Sequence, residues 1–138
     1  MSNKVYISWQ DLDEAMEQLA LIAEHNFDCI VGLSRGGLPI AVKLSNLTGI
    51  PMVPVVWQTR DGIINDKTTL MATDLGYSNI LVVDDICDSG LTFNQVKEYL
   101  PTASYYAMVT KKIGDVDHAY RSMEGDNRWV VFPWEKQD

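Results

Sequence analysis

Residues 80–92 read Ile80-Leu81-Val82-Val83-Asp84-Asp85-Ile86-Cys87-Asp88-Ser89-Gly90-Leu91-Thr92, and this order of residue types leaves few folds open. Four consecutive apolar residues fit a strand buried on both faces, the kind found inside a parallel sheet. The run meets two adjacent carboxylates. A short polar turn over residues 88–92 follows, and then a helical pattern over 93–100. A strand, an acid pair, a glycine-containing turn and a helix, in that order, make a phosphate site at the carboxyl end of a strand. Amides at a helix start favour an anion. The Ser89 and Thr92 hydroxyls add donors, and Gly90 permits close approach of the backbone.

The rest of the chain alternates in the same sense. A short apolar start at 5–7 reads as an edge strand. Ser8 and Asp11 approximate a capping box for an amphipathic helix with Leu12, Ala15, Met16, Leu19, Ile22 and Ala23 on its apolar face, ending near residue 25. Residues 27–33 predict a central strand, 34–37 a turn, and 38–47 a helix closed by Gly49. Strands are expected at 51–57, 80–83, 105–109 and 129–132. Residues 68–77 are ambiguous, and 114–127 read as loop or a short helix. The alternation predicts an α/β fold with a mainly parallel sheet flanked by helices, and one domain over residues 1–138. Sites in such sheets form at the carboxyl ends of strands, so Arg35 and Asp85 are expected to meet there.

Composition narrows the function classes. A net charge of −8 with no Lys/Arg cluster excludes a nucleic-acid binder driven by a basic surface. No signal-peptide pattern and no membrane-spanning apolar run is present, so the expected setting is the cytoplasm without a membrane partner. Cys29 and Cys87 lie in apolar contexts and are expected to be buried free thiols.

Residues 80–92 resemble the signature of type I phosphoribosyltransferases, which binds 5-phosphoribosyl 1-pyrophosphate (PRPP); Ser89 stands where threonine is usual and keeps the hydroxyl. Ser34-Arg35-Gly36-Gly37 resembles the pyrophosphate loop of the same family, and the resemblance implies a cis peptide at Ser34-Arg35. With Tyr6-Ile7-Ser8-Trp9, residues 46–50 and the tail 129–135, the likeness runs over nearly the whole chain to the xanthine–guanine phosphoribosyltransferases of bacteria. It implies the type I fold with a small hood. It also implies transfer of ribose 5-phosphate from PRPP to guanine, xanthine or hypoxanthine in purine salvage, Mg²⁺ as cofactor, and a homo-oligomer, dimer or tetramer.

Residue by residue, the resemblance implies catalytic roles for Asp84, Asp85 and Asp88, with Asp85 as metal ligand. Ser34, Arg35, Gly36 and Gly37 hold pyrophosphate. Asp84 and Asp85 hold the ribose hydroxyls, and Asp88, Ser89, Gly90, Leu91 and Thr92 hold the 5-phosphate. Lys111 (or Lys112, the register being open by one) binds the purine 6-oxo group, while Trp129 and Val130 cover the base. Pro133-Trp134-Glu135 reads as packing or subunit contact. The polar stretch 58–67 is expected to be the family's lid; it lacks the usual Ser-Tyr pair, and Arg60 is a substitute contact. Three alternatives stay open: transfer to another base, a PRPP-binding regulator without turnover, and a signalling receiver domain. The last is disfavoured because receivers carry their acid pair on the first strand.

Overall fold

A computed structural model describes residues 3–59 and 64–136. Its elements are β1 (Lys4–Tyr6), α1 (Trp9–Ala23), β2 (Cys29–Ser34), α2 (Leu38–Thr48), β3 (Met52–Val56), α3 (Lys67–Gly76), β4 (Ile80–Cys87), α4 (Leu91–Lys97), β5 (Ser104–Thr110), a 3₁₀ turn (Ile113–Asp115), β6 (His118–Ser122) and β7 (Trp129–Val131).

The main sheet has five strands in the order β3-β2-β4-β5-β6, every neighbour parallel. Helices cover both faces. On one side α1 and α2 pack Leu12, Met16, Leu19, Ile40 and Leu44 against Ile30, Leu81 and Met108. On the other, α3 and α4 pack Leu70, Phe93 and Val96 against Val31, Val82 and Tyr105. Coverage on both faces is why β2 and β4 are near-continuous apolar runs. From β2 the chain proceeds to β3 on one side, and from β4 to β5 and β6 on the other. The order therefore reverses between β2 and β4, which opens a crevice at their carboxyl ends.

The helix boundaries have local causes. Ser8 and Asp11 form a complete capping box, with Asp11 N–H on Ser8 Oγ at 3.0 Å and Ser8 N–H on Asp11 Oδ2 at 2.8 Å. Helix α2 ends at Gly49, whose φ of 76° is the left-handed cap. Asp66 caps α3 by accepting from Thr69 N–H.

The structure corrects several sequence expectations. β4 does not stop at Val83; it runs through both acids to Cys87, and its helix begins at Leu91 rather than 93. The stretch 114–127 contains a strand, β6, on the sheet edge. β1 and β7 lie outside the main sheet and pair with each other in parallel, Val5 opposite Val130, as the expected hood. Ile22 is exposed, and Ala20 takes a place on the buried face of α1. Cys29 and Cys87 are buried free thiols as expected. No described helix is long and apolar enough to cross a membrane.

Candidate active site

The acid pair sits inside β4, where the ladder changes character. Pairing with β5 runs from Asp84 opposite Ala107 to Ile86 opposite Val109. Here the backbone also serves the side chains: Asp84 Oδ1 accepts from Asp85 N–H at 2.8 Å, and Asp85 Oδ1 from Ile86 N–H at 2.7 Å. Burial holds the Asp84 carboxyl well above the usual carboxylate range, and the neighbouring Asp85 charge adds to it. Burial likewise raises Asp85. Two acids side by side without a cation resist double ionisation, so the free site is primed for positively charged or hydrogen-bond-donating groups.

The β2–α2 turn faces this pair. The Ser34–Arg35 peptide bond is cis. Ser34 is half-buried and Arg35 exposed, both on the cleft wall. Gly36 is required by close approach: a Cβ there would run into the Asp85 carboxylate. Gly37 is different. It is buried, its N–H donates to Leu33 O at 2.8 Å, and it does not line the cleft, so it seats the loop. A Cβ on Gly37 would stand 2.5 Å from Val83 O and 2.8 Å from Leu33 N and O. Its φ of −77° suits any residue, so the obstacle is steric alone. Gly37→Ala should destabilise the fold by about 1–3 kcal/mol, the usual size of an overpacked site, read as a lower urea midpoint at unchanged m.

The 88–92 turn closes the cleft's third side. Gly90 has φ of 82°, and a Cβ there would meet the Asp115 carboxylate. Ser89 Oγ accepts from Leu91 N–H at 3.3 Å. Together Ser34, Arg35, Gly36, Asp84, Asp85 and residues 86–93 line a cavity of about 450 Å³, with Trp57, Gln58 and Thr59 also in its wall.

A second, smaller cavity of about 110 Å³ adjoins it, lined by Asp85, Ile86, Asp88, Lys111, Trp129, Val130, Phe132 and Glu135. Asp85, Ile86 and Asp88 border both cavities. Lys111 lines the small one and Lys112 does not. Lys111 Nζ donates to Arg128 O at 2.7 Å. Trp129 is 67% exposed, so it is no core aromatic. The cis loop, the acid pair and the hydroxyl-bearing turn thus share one cleft, with the Lys111 and Trp129 cavity beside it.

The sequence matches the phosphoribosyl transferase domain family over residues 4–134. The chain belongs to this family. Among curated relatives, a xanthine-guanine phosphoribosyltransferase of Idiomarina loihiensis is 31% identical over 97% of this chain and 88% of its own length. One of Gluconobacter oxydans is 31% identical over 94% of this chain and 83% of its own. A crystal structure of a purine phosphoribosyltransferase from Pyrococcus horikoshii superposes with a TM-score of 0.77 at 27% identity, covering 99% of this chain and 96% of that one. As a phosphoribosyltransferase the chain is an α/β enzyme of the expected fold.

The sequence assigns no site role to Ile86, Phe132 or Trp57, and reads Glu135 with Pro133 and Trp134 as packing or subunit contact. Glu135 closes the turn that begins at Phe132, just after β7, and lines the small cavity; Trp57, held by Nε1–H to Gln95 Oε1 at 3.1 Å, lines the large one. The expected lid, 58–67, falls partly on Arg60 to Ile63, which lie outside the described residues; its last residue, Lys67, already belongs to α3.

Proposed function

We propose that the protein transfers the 5-phosphoribosyl group of PRPP to N9 of a 6-oxopurine (guanine, hypoxanthine or xanthine), releasing pyrophosphate. The observation that carries this reading is Asp88, which stands at the junction of the anion-binding cleft and the flat base pocket. The named purine relatives support it.

In this mechanism the bond from C1 of the ribose to pyrophosphate breaks, the C1–N9 bond forms on the opposite face, and positive charge develops on the ribose ring. Asp84 and Asp85 accept hydrogen bonds from the 2- and 3-hydroxyls and stabilise that charge. Asp88 takes the proton that the purine loses at N7 as N9 attacks. Residues 88–92 hold the 5-phosphate through hydroxyls and turn amides. Ser34, Arg35 and Gly36 hold pyrophosphate, Arg35 as the planar cation, and Gly37 supports the loop from below. Lys111 faces the 6-oxo group, and Trp129 and Val130 cover the ring.

Mg²⁺ suits this donor set. The groups offered are the hard carboxylate oxygens of Asp84 and Asp85, a donor type that suits an ion sharing its shell with substrate and water. Asp85 would hold it, and when bound it supplies charge neutralisation for the leaving pyrophosphate. We read the whole chain as one catalytic domain, working in the cytoplasm as a homo-oligomer, dimer or tetramer, in purine salvage.

The test is incubation with PRPP, Mg²⁺ and each of guanine, hypoxanthine, xanthine, adenine, uracil and orotate, following pyrophosphate release. PRPP binding without release for any base would make the chain a regulator. Asp88→Asn should lower kcat by roughly 10²–10⁴-fold, the range of a general acid–base group, with PRPP affinity little changed. Equal losses in PRPP affinity and none in kcat would make Asp88 a turn residue only.

A further inference from the structure

Val53, Val55 and Trp57 alternate onto the face of β3 and its end that packs toward α3 and α4. Trp57 is 4% exposed, yet it stands in the wall of the large cavity. An indole has a single polar group, an N–H that only donates, and here it is spent on Gln95 Oε1 at 3.1 Å. The ring also meets Tyr99 edge-on, with centroids 5.7 Å apart. Gln95 lies on α4 and Tyr99 just past its end, one helical turn further on. α4 carries the 88–92 turn at its head. In the sheet, β2 separates β3 from β4, so Trp57 bridges that gap to reach the helix. On the other flank Phe93 of α4 meets Tyr105 of β5, centroids 5.1 Å apart. The helix is thus held from both sides, while Gly90 at its head gives it no side-chain cap.

Resting on the PRPP reading above, we infer that Trp57 is a positioning residue for PRPP: its bond to Gln95 and its edge contact with Tyr99 fix α4, and with it the 88–92 turn, at the separation from the Ser34–Gly36 loop that PRPP spans. With its N–H engaged, the indole offers the cleft no donor, so it acts as a brace and not as a phosphate ligand. The 5-phosphate lies at the other end of the ribose from the bond that breaks, and it is held alike before and during the reaction. Loss of the brace therefore falls on PRPP affinity rather than on kcat, because PRPP must then order the turn itself. The base pocket contains none of Trp57, Gln95 and Tyr99, so affinity for the base is spared.

The test uses Trp57→Phe, which keeps a ring beside Tyr99 and loses the N–H, Gln95→Leu, which removes the acceptor at a half-buried helix position, and the double variant. PRPP affinity is measured by calorimetry with Mg²⁺ and no base; kcat and the KM of the base are taken with the purine that wild type turns over best. Each single variant should weaken PRPP binding by about 5–10-fold, the size of one hydrogen bond, with kcat and the KM of the base within about two-fold of wild type. The double variant should bind PRPP no more weakly than the worse single one, since both changes break the same bond. Should Trp57→Phe fail to fold, Gln95→Leu carries the same expectation alone. PRPP affinity unchanged in Gln95→Leu, a fall in kcat as large as the fall in affinity, or losses that add in the double variant would overturn the inference and leave the proposed function standing. A wild-type protein that binds no PRPP would overturn both.

Discussion

Asp84→Asn combined with Asp85→Asn is expected to abolish PRPP turnover, by at least about 10³-fold, while raising the melting temperature of the protein free of metal and PRPP. The activity loss follows from removing the carboxylates assigned to the ribose hydroxyls and the developing ring charge. The stability gain follows from the sign of the acids' shifts. Burial lifts both above their ordinary value of 3.8, and at Asp84 the charge of its neighbour adds to it. A carboxyl with a raised folded value binds its proton more tightly in the folded than in the unfolded chain. Between the two values the folded chain holds more protons, so stability falls as pH rises. At neutral pH the penalty is present, and below about pH 4 it is gone. Asparagine carries no charge to desolvate. Thermal melts of both proteins should therefore converge near about pH 4 and separate as pH rises, by about 3–5 °C for each kcal/mol of relieved penalty. A variant less stable than wild type at neutral pH would contradict the burial of the pair. Full turnover by the variant would remove it from the ribose site.

How much of this was legible before any coordinates depended on where the information sits. The strand, acids and turn of 80–92 are contiguous, so local spacing carried them to the cleft, and the order reversal between β2 and β4 brought Ser34 and Arg35 alongside. β6 escaped notice because an edge strand with residues His118 to Ser122 mostly exposed or half-exposed lacks the apolar alternation that marks a strand; its pairing with β5 supplies what its sequence does not. α3 was ambiguous for a similar reason: only Leu70 and Thr73 are buried while Met71 and Leu75 face outward, which blurs its period. β7 is a strand as read, but its partner β1 lies at the other end of the sequence, and no local pattern announces that. Gly37 shows the limit at the site itself. A Gly-Gly pair in a phosphate loop suggests two amides for the ligand, yet only contacts reveal that the second is spent on Leu33 O. Pro133-Trp134-Glu135 reads from sequence as packing or subunit contact; Trp134 does pack, stacked on Phe132 at 5.1 Å, while the next residue lines the small cavity.

Wild-type protein should use guanine over adenine by on the order of 10⁴ in kcat/KM, a discrimination that rests on Lys111. An ammonium group has three donors and no acceptor. One is engaged by Arg128 O at 2.7 Å, and Lys111 lines the small cavity. The loop behind it is braced, since Asp126 accepts from Arg128 N–H at 3.0 Å and from its guanidinium at 2.7 Å. Adenine places a 6-amino group, itself a donor, against the ammonium, so no hydrogen bond forms between them; a 6-oxo group accepts instead. Sites built to hydrogen-bond one substrate group reject analogues lacking it far more strongly than apolar pockets reject a size change. Trp129 adds affinity for either purine and cannot restore the balance. Lys111→Ala should erode the guanine-to-adenine ratio by 10²-fold or more, mainly through lost guanine turnover, as the anchored donor disappears. Measuring kcat/KM for both bases in the two proteins decides it. Efficient adenine use by the wild type, or a ratio untouched by Lys111→Ala, would move 6-oxo recognition away from Lys111 and leave the PRPP cleft as assigned.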